Sequence, residues 1–259
     1  NNYLLSDFEN DSKNLNIKKA VHVQAEINSD LIFEETKWLQ SISDNNLKKI
    51  PNAIIGFVDL SKNDVEYAIE KHLVYDNFRG IRQILKFDPK NSKDKINLLQ
   101  NNIWIKNLKI LEKNNLSFDL LINYYQFNEV SKVIKMYPNL QFIVNHTLWP
   151  QGIGLENFKL WEEAINIISE HENASIKLSG FGERDSMWQK ENIRPFIDYS
   201  IKKFGIKRCM FATNFPVDKA FSSNKYFNYW NTYYNLTKDF STDEKDDLFF
   251  KNAERFYKI

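Results

Sequence analysis

The sequence predicts an α/β fold, a parallel (β/α)8 barrel of the TIM type in which seven of the eight strands are visible. Short apolar runs rich in Val, Ile and Phe alternate repeatedly with longer, charged stretches of helical period, and that alternation implies parallel strands joined by helical crossovers. No Gly-x-Gly-x-x-Gly follows any strand and the chain holds only 7 glycines, which disfavours an open nucleotide-binding sheet. The length of 259 residues suits one barrel of roughly 250, so residues 1–259 are read as one domain.

In chain order the strand candidates are residues 20–25 (AVHVQA), 53–60 (AIIGFVDL), 78–85 (FRGIRQIL), 117–122 (SFDLLI), 141–146 (QFIVNH), 175–179 (SIKLS) and 208–213 (RCMFAT). Their shortness and their β-branched and aromatic content favour strand over helix. A helical pattern starts at Phe33, and others cover residues 64–72, 104–113, 128–136, 157–171 and 194–204. Val65, Ala68, Ile69 and Leu73 share one face, as do Ile197, Ile201 and Phe204. Tyr137-Pro138 and Gly205 punctuate two helix ends. Residues 242–259 read as a closing helix, capped by Thr242 with Asp243 and Glu244 in its first turn.

Composition narrows the function classes. The net charge is +1, with the signs interspersed, which gives no footprint for nucleic acid or an anionic membrane. No apolar run approaches the roughly 20 residues of a membrane span, and the N-terminus carries no signal-peptide pattern. The single cysteine, Cys209, sits in a strand run and reads as a small core thiol, so a reducing cytoplasm is the expected home. The chain begins at Asn1 without Met and is expected to start inside a longer protein. The expected partner is a small-molecule substrate. The Trp- and Tyr-rich residues 226–234 read either as a subunit contact of a homo-oligomer or as a barrel helix packed on the core.

Alternate residues of a barrel strand point inward, and inward residues near the C-terminal end face the site. In the first visible strand His22, Gln24 and Glu26 share one face and Val21, Val23 and Ala25 the other. Three polar residues on one face of a buried strand are costly unless they build a site. Arg82 lies opposite Ile81 and Gln83, where it can clamp a carboxylate or carbonyl oxygen, with Asp119 as its expected partner. His146 closes an apolar strand, a position that suits a catalyst. Lys177 is a charge among apolar neighbours, either in the site or snorkelling to the rim. Asn214 and Asp218 follow the last strand at the same face, whereas His72 and His171 sit on helices and read as structural.

Five segments occur in order: Val21-His22-Val23-Gln24-Ala25-Glu26, Gly80-Ile81-Arg82-Gln83, Asn145-His146-Thr147 with Pro150, Lys177-Leu178-Ser179-Gly180, and Met210 through Asp218 (MFATNFPVD). Together they resemble the amidohydrolase-related (amidohydrolase 2) family of metal-dependent barrel hydrolases, which includes sugar-acid and pyrone dicarboxylate lactonases. The closing Asn252-Ala253-Glu254-Arg255-Phe256-Tyr257 resembles the family's last helix. The resemblance implies a first strand ending in His-x-His, a pair absent from this sequence, so the absent strand is the first and the chain given is expected to start after it. It also implies Asp where this chain has Asn214. Asn cannot take a proton at neutral pH, so either the chemistry differs or a neighbour such as Asp218 substitutes.

The resemblance therefore implies a hydrolase acting on a small, anionic sugar-acid or aromatic-acid lactone. In this reading His22, Gln24, Glu26, Arg82 and Lys177 bind the substrate. His146, Asn214 and Asp218 are catalytic, with His146 stabilising the oxyanion or holding a metal and Asp218 activating water. One divalent metal, zinc, and no metal at all both remain open, since His146 alone falls short of the three protein ligands a zinc site uses. An amidase or decarboxylase of the same family and a non-catalytic metabolite-binding barrel are the alternatives.

Overall fold

Val, Ile, Phe and Leu fill the centres of seven short segments, and all seven become parallel strands of one sheet. The computed structural model describes residues 2–91, 96–149, 155–182, 190–220 and 225–259. The strands are β1 (Val21–Val23), β2 (Ala53–Gly56), β3 (Phe78–Ile84), β4 (Ser117–Leu121), β5 (Gln141–Val144), β6 (Ala174–Leu178) and β7 (Cys209–Phe211). Their order in the sheet is the order in the chain, and each pairs in parallel with the next. Each expected strand is present, most of them shorter than the apolar run that signals it.

Between strands run α2 (Ile32–Asp44), α3 (Val65–Leu73), α4 (Asn102–Lys113), α5 (Phe127–Met136), α6 (Leu155–Ser169) and α7 (Lys190–Phe204), with α8 (Tyr226–Leu236) after β7. A helix that the sequence pattern does not signal, α1 (Leu5–Ser12), precedes β1. The tail forms α9 (Thr242–Asp246), a wide π turn and α10 (Asn252–Tyr257). Its cap is Ser241 rather than Thr242, because Ser241 Oγ accepts the Glu244 amide while the Glu244 carboxylate accepts the Ser241 amide at 2.8 Å.

The alternation of side chains splits the core into two layers. Outward residues such as Phe118, Leu120, Phe142, Val144, Ile176 and Leu178 pack against Trp104, Leu108, Trp161 and Ile165 of the helices. Inward residues Ala53, Ile55, Ile143 and Met210, with Val21 and Val23, meet Phe256 and Tyr257 of α10 in the lumen. In α8, Tyr226, Tyr229 and Tyr233 are buried, which makes the aromatic stretch a barrel helix packed on the core.

The barrel curls without closing. β1 and β7 are the two edges of the sheet, and no ladder joins them among the described residues. A cleft of about 1030 Å³ opens between them, lined by Val21, Val23, Met210, Phe8 and Ile17 among others. It lies where a strand ahead of β1 would pair with both edges.

His72, on α3, is a packing residue. It stacks on Phe78 at 4.8 Å between ring centroids, and its Nδ1 lies 2.9 Å from Thr36 Oγ1. Burial pulls its pKa down to about 4. The neutral ring is the form the fold accommodates, so its contribution is present above the unfolded value of 6.5 and is lost as pH falls from there through 4. Urea unfolding at pH 7 and pH 4 is expected to show His72→Gln losing less stability on acidification than the parent, by up to about 3 kcal/mol.

Candidate active site

The register of the central strands carries the site. Arg82 on β3 pairs with Asp119 on β4, and Asp119 with the lumen residue Ile143 on β5. Lys177 on β6 pairs with Met210, also in the lumen. Arg82, Asp119 and Lys177 therefore point inward, and Asn145 and His146 follow directly from the end of β5. These are polar side chains at the C-terminal ends of barrel strands, above an apolar floor. Arg82, Asn145, His146, Lys177 and Asn214 all line the cleft.

Asp119 is fully buried and accepts from three donors: the Lys177 ammonium, Asn145 Nδ2 at 2.9 Å, and Tyr257 OH at 3.0 and 3.2 Å to its two oxygens. The expected Arg82–Asp119 pair is thus replaced by Lys177–Asp119. The shape of the lumen decides this, because Lys177 is the cation whose ammonium reaches the carboxylate. Arg82 instead donates to the Gln24 carbonyl oxygen and, at 3.3 Å, to Asn145 Oδ1. Its Nε is buried without a partner among the described residues. Burial lowers the pKa of Lys177 while Asp119 opposes that shift.

His146 sits in a left-handed turn. His146, Thr147, Leu148 and Trp149 have φ of +53°, +53°, +59° and +56°, a conformation that costs roughly 1–2 kcal/mol for each non-glycine residue. The surroundings hold it there. Thr147 Oγ1 lies 3.3 and 3.2 Å from the carbonyl oxygens of Lys177 and Ser179 and accepts the Ser179 amide at 3.2 Å, while Trp161 Nε1 donates to the Thr147 carbonyl oxygen at 2.9 Å. His146 Nδ1 lies 3.0 Å from Ser179 Oγ. Its pKa is pushed well below the usual imidazole value by burial, then by the positive charges of Arg82, Lys177 and Lys86. The Lys86 ammonium rests 3.0 Å above the centroid of the Trp149 ring, and that ring meets His146 edge-on at 5.3 Å.

The remaining expected residues divide. Gln24 is buried, donates to the Arg82 carbonyl oxygen at 3.1 Å and accepts the Glu26 amide at 2.6 Å, so it braces Arg82. Glu26 is exposed and reaches Arg82 only through its charge. His22 borders the cleft but is not bonded to Arg82, Lys177 or His146 among the described residues. In β1 it is Val21 and Val23 that turn to the lumen, and the His22 ring lies 3.6 Å from the Glu35 carboxylate of α2. The face assignment of this strand is reversed because its apolar pair fills the floor. Asp218 is fully buried and its Oδ1 accepts from Asn214 Nδ2 at 3.0 Å, so Asn214 meets the cleft and Asp218 stands behind it. His72 and His171 stay in the helical layer, His171 Nε2 lying 2.8 Å from Ser131 Oγ. Pro150, in the quoted motif, lies outside the described residues. In the sequence, Asp119 stands out only as a partner for Arg82, and Asn145, Ser179 and Tyr257 lie inside motifs that assign them no role.

The zinc expectation meets an unsuitable donor set. Among the described residues no group of three or more His, Cys, Asp or Glu side chains is placed to hold a metal ion. His146 has Nδ1 against Ser179 and is surrounded by cationic charge, which repels a divalent cation. The described residues do not fit that metal.

Gly180 secures His146. It has φ +78°, and a Cβ there would lie 2.4 Å from His146 Cβ and 2.8 Å from its Cγ. Gly205 has φ +74° with nothing within 4 Å of such a Cβ. Thermal unfolding is expected to register Gly205→Ala as a backbone cost of about 1 kcal/mol. Gly180→Ala adds a collision with the His146 ring and is expected to cost about 2–4 kcal/mol in all. Equal losses in the two variants would show that the His146 ring moves aside without resistance.

Comparison with known proteins agrees with this fold. The amidohydrolase family model matches residues 45–259. The chain is 38% identical over 260 residues to y4mH of Sinorhizobium fredii, an uncharacterised protein, covering 99% of this chain and 86% of that one. It is 23% identical over 235 residues to the L-fucono-1,5-lactonase of Burkholderia ambifaria, covering 87% and 76%. An amidohydrolase from Burkholderia multivorans solved with bound zinc superposes with a TM-score of 0.84 at 18% identity, covering all of this chain and 89% of that one. The strand order, the matched residues and the similarity to y4mH together mean that this chain belongs to the amidohydrolase family.

Proposed function

We propose that the cleft hydrolyses the ring ester of a small lactone that carries a carboxylate, of sugar-acid or aromatic-acid type. One observation carries the reading: the cationic side chains of Arg82 and Lys177 line one cleft with buried His146 at the strand ends, where burial, then the charges of Arg82, Lys177 and Lys86, favours the neutral imidazole. Such a site attracts an anion and keeps its base neutral. The lactonase among the relatives supports the same bond type.

Arg82 and Lys177 hold the substrate anion and face the carbonyl oxygen where negative charge develops. Neutral His146, with Nδ1 turned to Ser179, takes the proton of the attacking water at Nε2. The water oxygen bonds to the carbonyl carbon, the ring C–O bond breaks, and the proton passes from His146 to the departing alkoxide. The product is the open hydroxy acid. Asn214 offers its amide to the substrate while Asp218 fixes its orientation. Binding of the anion offsets part of the cationic field and makes His146 a stronger base in the complex.

A pH-indicator assay over carboxylated and neutral lactones, with and without chelator, tests the reading. Carboxylated lactones are expected to turn over best, and His146→Ala is expected to lower kcat/KM by about 10² or more. Activity depends on neutral His146, so the acid limb is expected below pH 6.5. Lys177→Met removes a charge that depresses that pKa and is expected to move the limb to higher pH. Loss of turnover with chelator, restored by zinc, would transfer His146 from base to metal ligand. No turnover on any lactone would overturn the proposal.

A further inference from the structure

Lys177 and Arg82 are long, flexible side chains, and a site that uses both must fix two cations of like charge in one lumen. What holds them comes from the opposite end of the chain. Asn252 Nδ2 donates to the carbonyl oxygens of Ile206 and Cys209, both at 2.7 Å, which ties α10 to the start of β7. That anchorage brings Tyr257 up through the floor of the lumen, and its hydroxyl donates to both oxygens of Asp119. The same carboxylate takes the Lys177 ammonium and the Asn145 amide, and the Asn145 oxygen accepts from Arg82. The Lys177 ammonium also lies 5.4 Å from the centroid of the Tyr257 ring.

We infer that Asp119 and Tyr257 are positioning residues of this site: a carboxylate braced from the C-terminal helix aims the Lys177 ammonium directly, and the Arg82 guanidinium through Asn145, at the substrate anion. The inference rests on the proposed function for the identity of that anion but not for the brace. Neither residue needs to touch substrate. Asp119 is fully buried and Tyr257 nearly so, and an aromatic packed in the floor would do its apolar work without a hydroxyl. The hydroxyl finds its hydrogen bond on the one carboxylate that also holds Lys177.

The groups facing Lys177 are Asp119 from β4, Arg82 from β3, Tyr257 from α10 and His146 after β5. Only Asp119 favours its charged form strongly, so removing that charge lowers the pKa of Lys177. The test is the pH dependence of Lys177 acetylation by acetic anhydride, read by peptide mass spectrometry, on the parent, Asp119→Asn and Tyr257→Phe, with thermal unfolding as the check on folding. Asp119→Asn is expected to give about tenfold more free amine at pH 7, corresponding to one pKa unit. Its alkaline limb of kcat/KM is expected to move to lower pH. Tyr257→Phe removes one oxygen and keeps the packing, so it carries the test if Asp119→Asn does not fold. It is expected to raise labelling two- to threefold and to raise KM more than it lowers kcat. Folded variants whose labelling curves superpose on the parent's would overturn the inference. Shifted labelling in a protein that hydrolyses no lactone would support the brace while sinking the lactonase reading.

Discussion

A carboxylate taken wholly out of water costs several kcal/mol unless charge and hydrogen bonds replace the solvent, and Asp119 sits in the middle of the lumen with no exposure. Its three donors come from the turn after β5, from β6 and from the C-terminal helix. The carboxylate is thus a constraint on four elements at once. Removing any one donor leaves a buried acceptor less satisfied, which is more costly than the hydrogen bond is favourable. The floor of the lumen beneath it is apolar, built of Ile143, Met210, Ile55 and Phe256. The polar layer at the strand ends rests on that floor, and the low dielectric there strengthens the attraction of Lys177 for Asp119 as much as it penalises a missing partner.

Strain is concentrated one step further up. Four successive left-handed residues from His146 to Trp149 would unwind in an isolated peptide. Here Thr147 and Trp161 oppose that relaxation with hydrogen bonds to backbone groups that the β6 ladder and helical core already fix. The side chain this turn delivers is His146, brought against Ser179 and Gly180. Backbone distortion persists where surrounding structure over-determines it, and such places are commonly functional. The turn and the Asp119 brace flank Lys177 from opposite sides: Thr147 engages its backbone oxygen and Asp119 its ammonium.

The strands were legible because a buried parallel strand writes itself as a continuous apolar run, and each such run became one. Inward direction was legible where a polar residue interrupts that run, as at Arg82, Asp119 and Lys177. It failed in β1, where period-two alternation is equally compatible with either face. There the choice was made by Val21 and Val23 filling the floor, a packing fact remote in sequence. The partner of Asp119 was misread for a similar reason: Arg82 and Lys177 are both inward cations on neighbouring or nearby strands, and reach across a curled lumen is not written in spacing. Tyr257 was invisible as a site residue because its role depends on the chain returning 138 residues later to the same carboxylate. The left-handed turn left only one trace, Gly180, whose meaning needs the approach of His146 to be seen.

Charge accounts for the position of Asn214. The cleft presents Arg82 and Lys177, and the carboxylates beside it are already engaged, Asp119 by Lys177 and Glu254 by Lys19. A further carboxylate on the β7 side of the mouth would neutralise that excess and compete with an anionic substrate for the same cations. Asn214 faces the cleft as a neutral amide, while Asp218 is buried behind it and accepts from that amide. A wall without charge leaves the cationic field undivided for the substrate. In the proposed reading it also leaves proton transfer to His146, which burial and the nearby cations keep uncharged. Under the proposed function, Asn214 in place of the Asp that the sequence resemblance implies and the depressed basicity of His146 are two consequences of one arrangement: a lumen that keeps its positive charge for the ligand.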